Sequence, residues 1–432
     1  MILRLSTSAE RLVVLGACVL TAGFLCFFSV RVAWAAHLAA RGTVAGLEHA
    51  TRLEPDNSEY WFALGRYWQY NLENSDNDKA IRAYRRALAN NPHSADAYIN
   101  LATAYESEND LSAARENFLN ARKAYPVSAE VSWRVGNFFL RQGDTDEAFR
   151  EIRKSVEADP SRGAEAFSRC LRVEPNIKVV LDRALPARPT VYVDIIHDLA
   201  DEGRTTEALI VWDRLAALRP SIALRDIYPL VNALRNQQEY TEAASIWKQG
   251  VRFAGLGALG DPATSVLWDG GFESGVSNYA YAWNFSGNTN GVQIQRDARE
   301  RHSGVYSLRL TFDGKSDVNF ADVCHTMPVM PLTTYQFSAW VQTRDLTSDQ
   351  GLRFRIQSPG GAPAIVTPEI HGTQPWARIE LPWTADSRAY EAQLCVVRFP
   401  SDQPDSRIRG SAWIDDLALV PQPASHAGSA PP

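Results

Sequence analysis

The chain contains no GxxxxGKS or GxxxxGKT phosphate loop, no HExxH helix, no GxSxG nucleophile elbow and no CxxC pair. The local arrangements that mark P-loop nucleotide hydrolases, zinc peptidases, serine hydrolases and dithiol oxidoreductases are therefore missing. Basic residues are not in surplus either: 44 Lys and Arg face 50 Asp and Glu, a net charge of −6. A phosphate-tracking surface needs clustered excess cations, so nucleic acid is excluded as a partner. The 8 histidines are dispersed, and His302, His325 and His371 show no metal-ligand spacing. Cysteine is scarce, at five. Cys18, Cys26 and Cys170 read as small buried apolar residues, whereas Cys324 and Cys395 fall in a β-rich part, where an oxidising compartment lets them pair if their strands are neighbours.

What is present divides the chain. At 432 residues it exceeds one ordinary core, and 45% hydrophobic with 22% charged residues is the balance of folded protein. Leu12 to Val30 form a run without a charge, roughly 28 Å long as a helix and matched to a bilayer core of roughly 30 Å. Arg4 and Arg11 precede this run and Arg31 and Arg41 follow it, so charge alone does not orient it. A cleavable signal competes through Ala33-Trp34-Ala35; the length of the run and the intrusion of Arg31 favour an uncleaved anchor over residues 12–34. Residues 1–11 are then a cytoplasmic segment.

Pro92, Pro126 and Pro160 are separated by the same interval, about 34 residues, and Ala80, Ala114 and Ala148 keep the same phase. Around them lie Trp61, Gly65 and Trp68, then Tyr98, Ala102 and Tyr105, then Trp133, Gly136 and Phe139, with polar turns before second helices carrying Ala114, Phe118 and Ala121 or Ala148 and Ile152. Small residues let two antiparallel helices approach, large ones fill the space beside them, and proline stops the second helix. This pattern resembles the tetratricopeptide repeat, whose opening phrase is met by Trp61, Leu64 and Gly65. Fainter copies extend the solenoid over residues 36–255, with an insertion near Asn74 to Asp76 and an irregular stretch from Ser161 to Pro189. The resemblance implies a groove that takes a protein partner, with positions at Phe62, Arg66, Gln69, Ile99, Thr103, Glu106, Trp133, Asn137 and Arg141.

Past a glycine-rich linker, residues 256–265, the helical period gives way to alternating strands, as in Arg309-Leu310-Thr311-Phe312 and the stretch Tyr335 to Val341, where Trp340 reads as core. Asp269-Gly270-Gly271-Phe272-Glu273, Trp283, the stretch His302 to Leu308, Trp376 and Gly410 to Leu417 resemble, in order and spacing, the galactose-binding-like jelly rolls of carbohydrate-binding modules. The fold class is thus multidomain: an N-terminal transmembrane helix, an all-α tetratricopeptide-like solenoid, and an all-β jelly-roll sandwich over residues 266–420, with a disordered tail at 421–432. That resemblance implies a structural calcium held by Glu273 with Asp415 or Asp416, oxygen ligands suited to the ion. Candidates for glycan contact are Tyr279, Tyr281 and Trp283, which alternate onto one face, the outward Arg353, Arg355 and Gln357, and Trp376 and Trp383.

These parts suggest a single-pass protein of the bacterial inner membrane, solenoid and sandwich in the periplasm. It is expected not to be an enzyme but a scaffold that binds a protein through the groove and a polysaccharide through the sandwich, near surface or exopolysaccharide assembly. The alternatives are an interaction adaptor without sugar binding and, third, a glycan-processing enzyme, since paired carboxylates meet only in the fold.

Overall fold

The structure, a computed structural model, describes residues 7–259, 265–285, 288–289, 291–315, 317–358, 363–401, 403 and 407–423. Most of the expected N-terminal segment, the middle of the glycine-rich linker and residues 424–432 of the expected tail lie outside the described residues. The chain falls into two compact units, Met1–Pro186 and Ala187–Pro432.

Unit 1 opens with α1 (Ser8–Ala40), started by a reciprocal cap in which Thr7 Oγ1 accepts from the Glu10 N–H and the Glu10 carboxylate accepts from the Thr7 N–H. By length and composition α1 could cross a membrane; its apolar stretch is exposed, with no protein against it. That corrects the reading of Cys18 and Cys26 as buried, while Cys170 is buried. The helix runs unbroken beyond this stretch until Ala35 is buried, where it pairs with α2 (Val44–Leu53).

The pairs α3 (Ser58–Tyr70) with α4 (Asn77–Asn90), α5 (Ala95–Ser107) with α6 (Leu111–Ala124) and α7 (Ala129–Arg141) with α8 (Thr145–Ala158) follow. The period extends to their caps. Ser94 and Ser128 start α5 and α7, and Asp76, Asp110 and Asp144 start α4, α6 and α8, each accepting a backbone N–H in the first turn. Each such cap is worth about 1 kcal/mol. Gly65 shows why a small residue is required: a Cβ there would meet the ring of Tyr84 on α4. The insertion is absorbed in the turn, where Asn71 Oδ1 accepts from the Glu73 and Asn74 N–H groups. The irregular stretch forms a 3₁₀ turn (Pro160–Arg162) and two short helices, α9 (Gly163–Leu171) and α10 (Ile177–Ala184).

Unit 2 begins with two more helical pairs, α11 (Pro189–Asp201) with α12 (Thr205–Ala217) and α13 (Leu224–Asn236) with α14 (Tyr240–Phe253). A two-sheet antiparallel β-sandwich follows. Its strands are β1 (Trp283–Asn284), β2 (Asn288–Thr289), β3 (Val292–Asp297), β4 (Ser307–Asp313), β5 (Phe320–Pro328), β6 (Thr334–Leu346), β7 (Arg353–Gln357), β8 (Ile365–Val366), β9 (Gly372–Thr384), β10 (Glu391–Arg398) and β11 (Arg409–Pro421). The five-stranded sheet has the order β1-β5-β10-β7-β8 and the six-stranded sheet β2-β3-β4-β11-β6-β9. Strand alternation fills the space between them with Leu308, Leu310 and Phe312, with Tyr335, Phe337, Ala339 and Val341, with Phe354 and Ile356, and with Ala392, Leu394 and Val396. Trp340, expected in this core, belongs to the other phase of β6; it is half-buried and stacked on His302. Cys324 and Cys395 sit opposite one another on β5 and β10 and form a disulfide. The two compact units part before α11, inside the helical region.

His325 on β5 is fully buried and hydrogen-bonds the Trp268 carbonyl through Nε2 at 3.0 Å. Burial pushes it down to about 4. The unfolded side chain, near its ordinary value of about 6.5, takes up a proton that the folded one refuses. Stability should therefore be fully present above about 6.5 and decline as pH falls towards about 4. The urea midpoint is expected to drop across that window in the parent protein and to drop less in His325→Gln; equal slopes would remove His325 as the cause.

Candidate functional site

The nine groove positions lie on the first helices of successive pairs, and the structure ties many of them to each other and to their neighbours. Arg141 on α7 donates through Nε and Nη2 to both carboxylate oxygens of Glu106 on α5, each at 2.8 Å. Gln69 on α3 accepts from the Tyr84 hydroxyl at 2.7 Å, and Tyr84 touches the ring of Phe62. Thr103 Oγ1 donates to the Ile99 carbonyl. On α7, Trp133 lies under the guanidinium groups of Arg162 and Arg169, and Arg169 donates to Asn137 Oδ1 at 2.8 Å. Ile99, Trp133 and Asn137 are consequently buried, and Arg66 and Arg141 are the exposed members. A peptide at this face would meet cations and a ladder of amide and carboxylate groups rather than an indole.

The aromatic glycan candidates are mostly occupied elsewhere. Tyr281 and Trp283, at 0% and 1% exposure, and Trp383, at 4%, are buried and cannot offer a stacking face. Trp283 donates its indole N–H to the Asp269 carbonyl at 2.8 Å and packs on Phe272. Trp383 packs on Tyr335. Tyr281 donates its hydroxyl to Glu391 at 2.7 Å, and its ring lies against Trp247 of α14. Tyr279, half-buried, meets Tyr228 of α13 edge to face. The physical reason is the last helical pair: α13 and α14 cover the segment that carries these tyrosines. Arg235 of α13 donates through Nε and Nη2 to the carboxylate of Glu391 at 2.6 and 3.0 Å, Trp247 meets Trp268 edge to face, and Tyr240 stacks on Tyr390. A recess of about 680 Å³ runs along this seam, floored by Trp247, Trp268 and Val251 and rimmed by Lys248 and Arg252. Trp247, which in the sequence marks a later repeat, is the residue of α14 that meets both Trp268 and Tyr281 across this seam. Trp376 is half-buried beside His302, on the outer side of the six-stranded sheet.

Arg353, Arg355 and Gln357 do share a face. Register places them with Thr326, Gln393 and the Cys324–Cys395 disulfide on the outer side of the five-stranded sheet. Gln357 donates to Gln393 at 3.1 Å, and Arg353 donates to Glu369 at 3.0 Å and to Gln350 at 3.1 Å. Arg355, half-buried between Cys395 and Val366 in the register, has no hydrogen-bond or ion-pair partner among the described residues, and its Nε is buried without an acceptor. The Glu391 end of this face is closed by Arg235 and Tyr281.

Of the three acids expected to hold calcium, two converge. Glu273 and Asp415 both flank Gly271: a Cβ there would lie 3.6 Å from Asp415 Oδ1 and 3.8 Å from Glu273 Oε1. Glu273 Oε1 accepts from the Val305 and Tyr306 N–H groups, and Asp415 Oδ2 from those of His302 and Ser303. Burial, together with the charge of Asp416, pushes Asp415 up to about 6. Asp416 turns away to His302 Nδ1, at 2.6 Å, and to the Ser303 hydroxyl, at 2.7 Å. Among the described residues no group of three or more metal-ligating side chains occurs. The donor set that fits a hard cation is thus Glu273 with Asp415, without Asp416.

Comparison with known proteins agrees with the two folds. Residues 69–116 and 100–163 match the tetratricopeptide repeat family, and residues 264–402 match a carbohydrate binding domain family. The chain is 27% identical over 174 residues to the general transcriptional corepressor ssn6 of Schizosaccharomyces pombe, a match that covers 33% of this chain and only 16% of the corepressor. Among solved structures, YrrB, described as a TPR protein with an unusual peptide-binding site, has 14% identity and a TM-score of 0.26, covering 49% of this chain and 94% of its own. TmCBM61 in complex with β-1,4-galactotriose has 18% identity and a TM-score of 0.26, covering 37% of this chain and 99% of its own.

Proposed function

We propose that this union of tetratricopeptide repeats and a carbohydrate-binding domain serves as a non-enzymatic scaffold of the bacterial envelope, anchored in the inner membrane by α1 with both folded units in the periplasm, near surface or exopolysaccharide assembly. The repeats recruit a protein, and the sandwich engages a glycan. The observation that carries the reading is the polar outer face of the five-stranded sheet, where Arg355, Gln357 and Gln393 stand ready for hydroxyl or carboxylate partners. The disulfide on the same face is in keeping with an oxidising compartment.

The test is co-sedimentation of the detergent-solubilised full chain with insoluble polysaccharides, beside cross-linking of its protein partners in cells. Pelleting with polysaccharide is expected. A chain that captures a protein and pellets with no glycan would be an adaptor alone. A C-terminal phosphatase fusion should be active in the periplasm; an inactive fusion would overturn the topology.

Calcium belongs to the same proposal. Bound by Glu273 and Asp415, it would tie the segment that opens the sandwich to the last strand, β11. Added Ca²⁺ is expected to raise the unfolding temperature of the parent protein and to leave that of Asp415→Ala unmoved. An unfolding temperature in the parent that ignores Ca²⁺ would exclude the ion.

A further inference from the structure

The outer face of the five-stranded sheet carries an imbalance of a particular kind. Neutral sugars are commonly held by exposed aromatic rings that stack on the pyranose. Among the described strand residues on this face are Asn284, Thr326, Arg353, Arg355, Gln357, Gln393 and Val397, none of them aromatic; the one ring beside them, Phe399 just past β10, is covered by Arg353. The disulfide takes the middle of the surface instead. Its charges are unequally used. Arg353 is held by Glu369 and lies over the ring of Phe399. Glu391 is neutralised by Arg235. Asp322, exposed on β5, is separated from β7 by the intervening β10, two strand spacings of about 4.8 Å each. Arg355 alone is left as a half-buried guanidinium with no partner among the described residues.

We infer that this face takes an acidic glycan, a chain of uronic acid units, with Arg355 gripping a sugar carboxylate. The inference rests on the glycan-binding reading above and narrows it. A partly dehydrated guanidinium without a counter-ion is unfavourable, and its planar fork matches a carboxylate through two parallel N–H donors. Gln357 and Gln393, already bonded to each other, and the Thr326 hydroxyl lie on the same face to bond ring hydroxyls. The carboxylate thus replaces the aromatic plate as the main source of affinity, and the half-buried Val366 and Cys324 on the same face accept the apolar edge of the sugar.

Electrophoresis of the detergent-solubilised full chain through gels containing polygalacturonate, galactan or dextran sulfate tests this. Polygalacturonate should retard the parent protein, and galactan should not. Arg355→Ala should weaken the polygalacturonate effect about tenfold or more. Arg355→Lys, which keeps the charge and loses the fork, should fall between them, with circular dichroism showing each variant folded. Retardation by polygalacturonate that survives Arg355→Ala would overturn the assignment, as would dextran sulfate matching polygalacturonate with the same loss in the variant. Retardation by galactan alone, equal in both proteins, would remove the acidic ligand and leave glycan binding standing. No retardation in any gel would remove both.

Discussion

Replacing Glu391 with alanine is expected to destabilise unit 2 by about 3–5 kcal/mol, the usual cost of stripping one partner from a buried ion pair. The carboxylate is buried and receives three charge-assisted donors, Arg235 Nε, Arg235 Nη2 and the Tyr281 hydroxyl, at 2.6, 3.0 and 2.7 Å. Alanine leaves a mostly buried guanidinium and a buried hydroxyl without their shared acceptor. The two partners are 156 residues apart in sequence, so the loss should loosen the seam between α13 and the sandwich as well as β10 itself. Urea unfolding followed by tryptophan fluorescence reads the change. Substituting both residues, Arg235→Met with Glu391→Leu, should recover much of it, because the desolvation of both charges disappears together. A loss under about 1 kcal/mol for Glu391→Ala would show that the pair is a bystander.

Gly270→Ala is expected to be at least as damaging, about 4 kcal/mol or more, in the range reached by few single substitutions. A Cβ at this position would run into the carbonyl oxygen of Leu417, which is backbone and cannot swing aside. Leu417 in turn donates its N–H to the Gly270 carbonyl at 3.0 Å, so the two chains are already at hydrogen-bonding distance. Relief would require β11 to move away from the segment that opens the sandwich. The neighbouring Gly271→Ala is the control. Its Cβ would meet nothing nearer than 3.5 Å, and its thermal midpoint should stay close to that of the parent protein. If both variants melted alike, close packing against Leu417 would not be the reason for glycine.

Both predictions fall on residues that the sequence marks unevenly. Gly270 stands in a phrase that resembles those of carbohydrate-binding modules, and Glu273 was readable with either Asp415 or Asp416; that Asp415 meets it while Asp416 turns to His302 depends on the turn of one side chain. The repeats were legible because their physics is local. Interval, cap and small-residue position all recur within one helical pair, down to Asp76, Asp110 and Asp144. Alternation in β7 likewise put Arg353, Arg355 and Gln357 on one face. The same rule applied to β6 assigns Trp340 to the phase opposite Tyr335, Phe337 and Val341, and this overrules its reading as core. What alternation cannot give is what lies on top of a face. Tyr279 and Tyr281 were aligned as a stripe, but Tyr228 of α13 and Trp247 of α14 cover them, and no period links that helical pair to the segment that follows it. The pairing of Arg235 with Glu391 was hidden for that reason.

The continuity of α1 from Ser8 to Ala40 has a mechanical meaning. A flexible joint between an anchor and its cargo filters out torque and transmits only tension. Here the apolar rod and the first helical pair share one backbone, so bending or twisting at the repeats reaches the apolar end as rotation about the helix axis. Torque at the first helical pair is therefore carried along the rod instead of being lost at a joint.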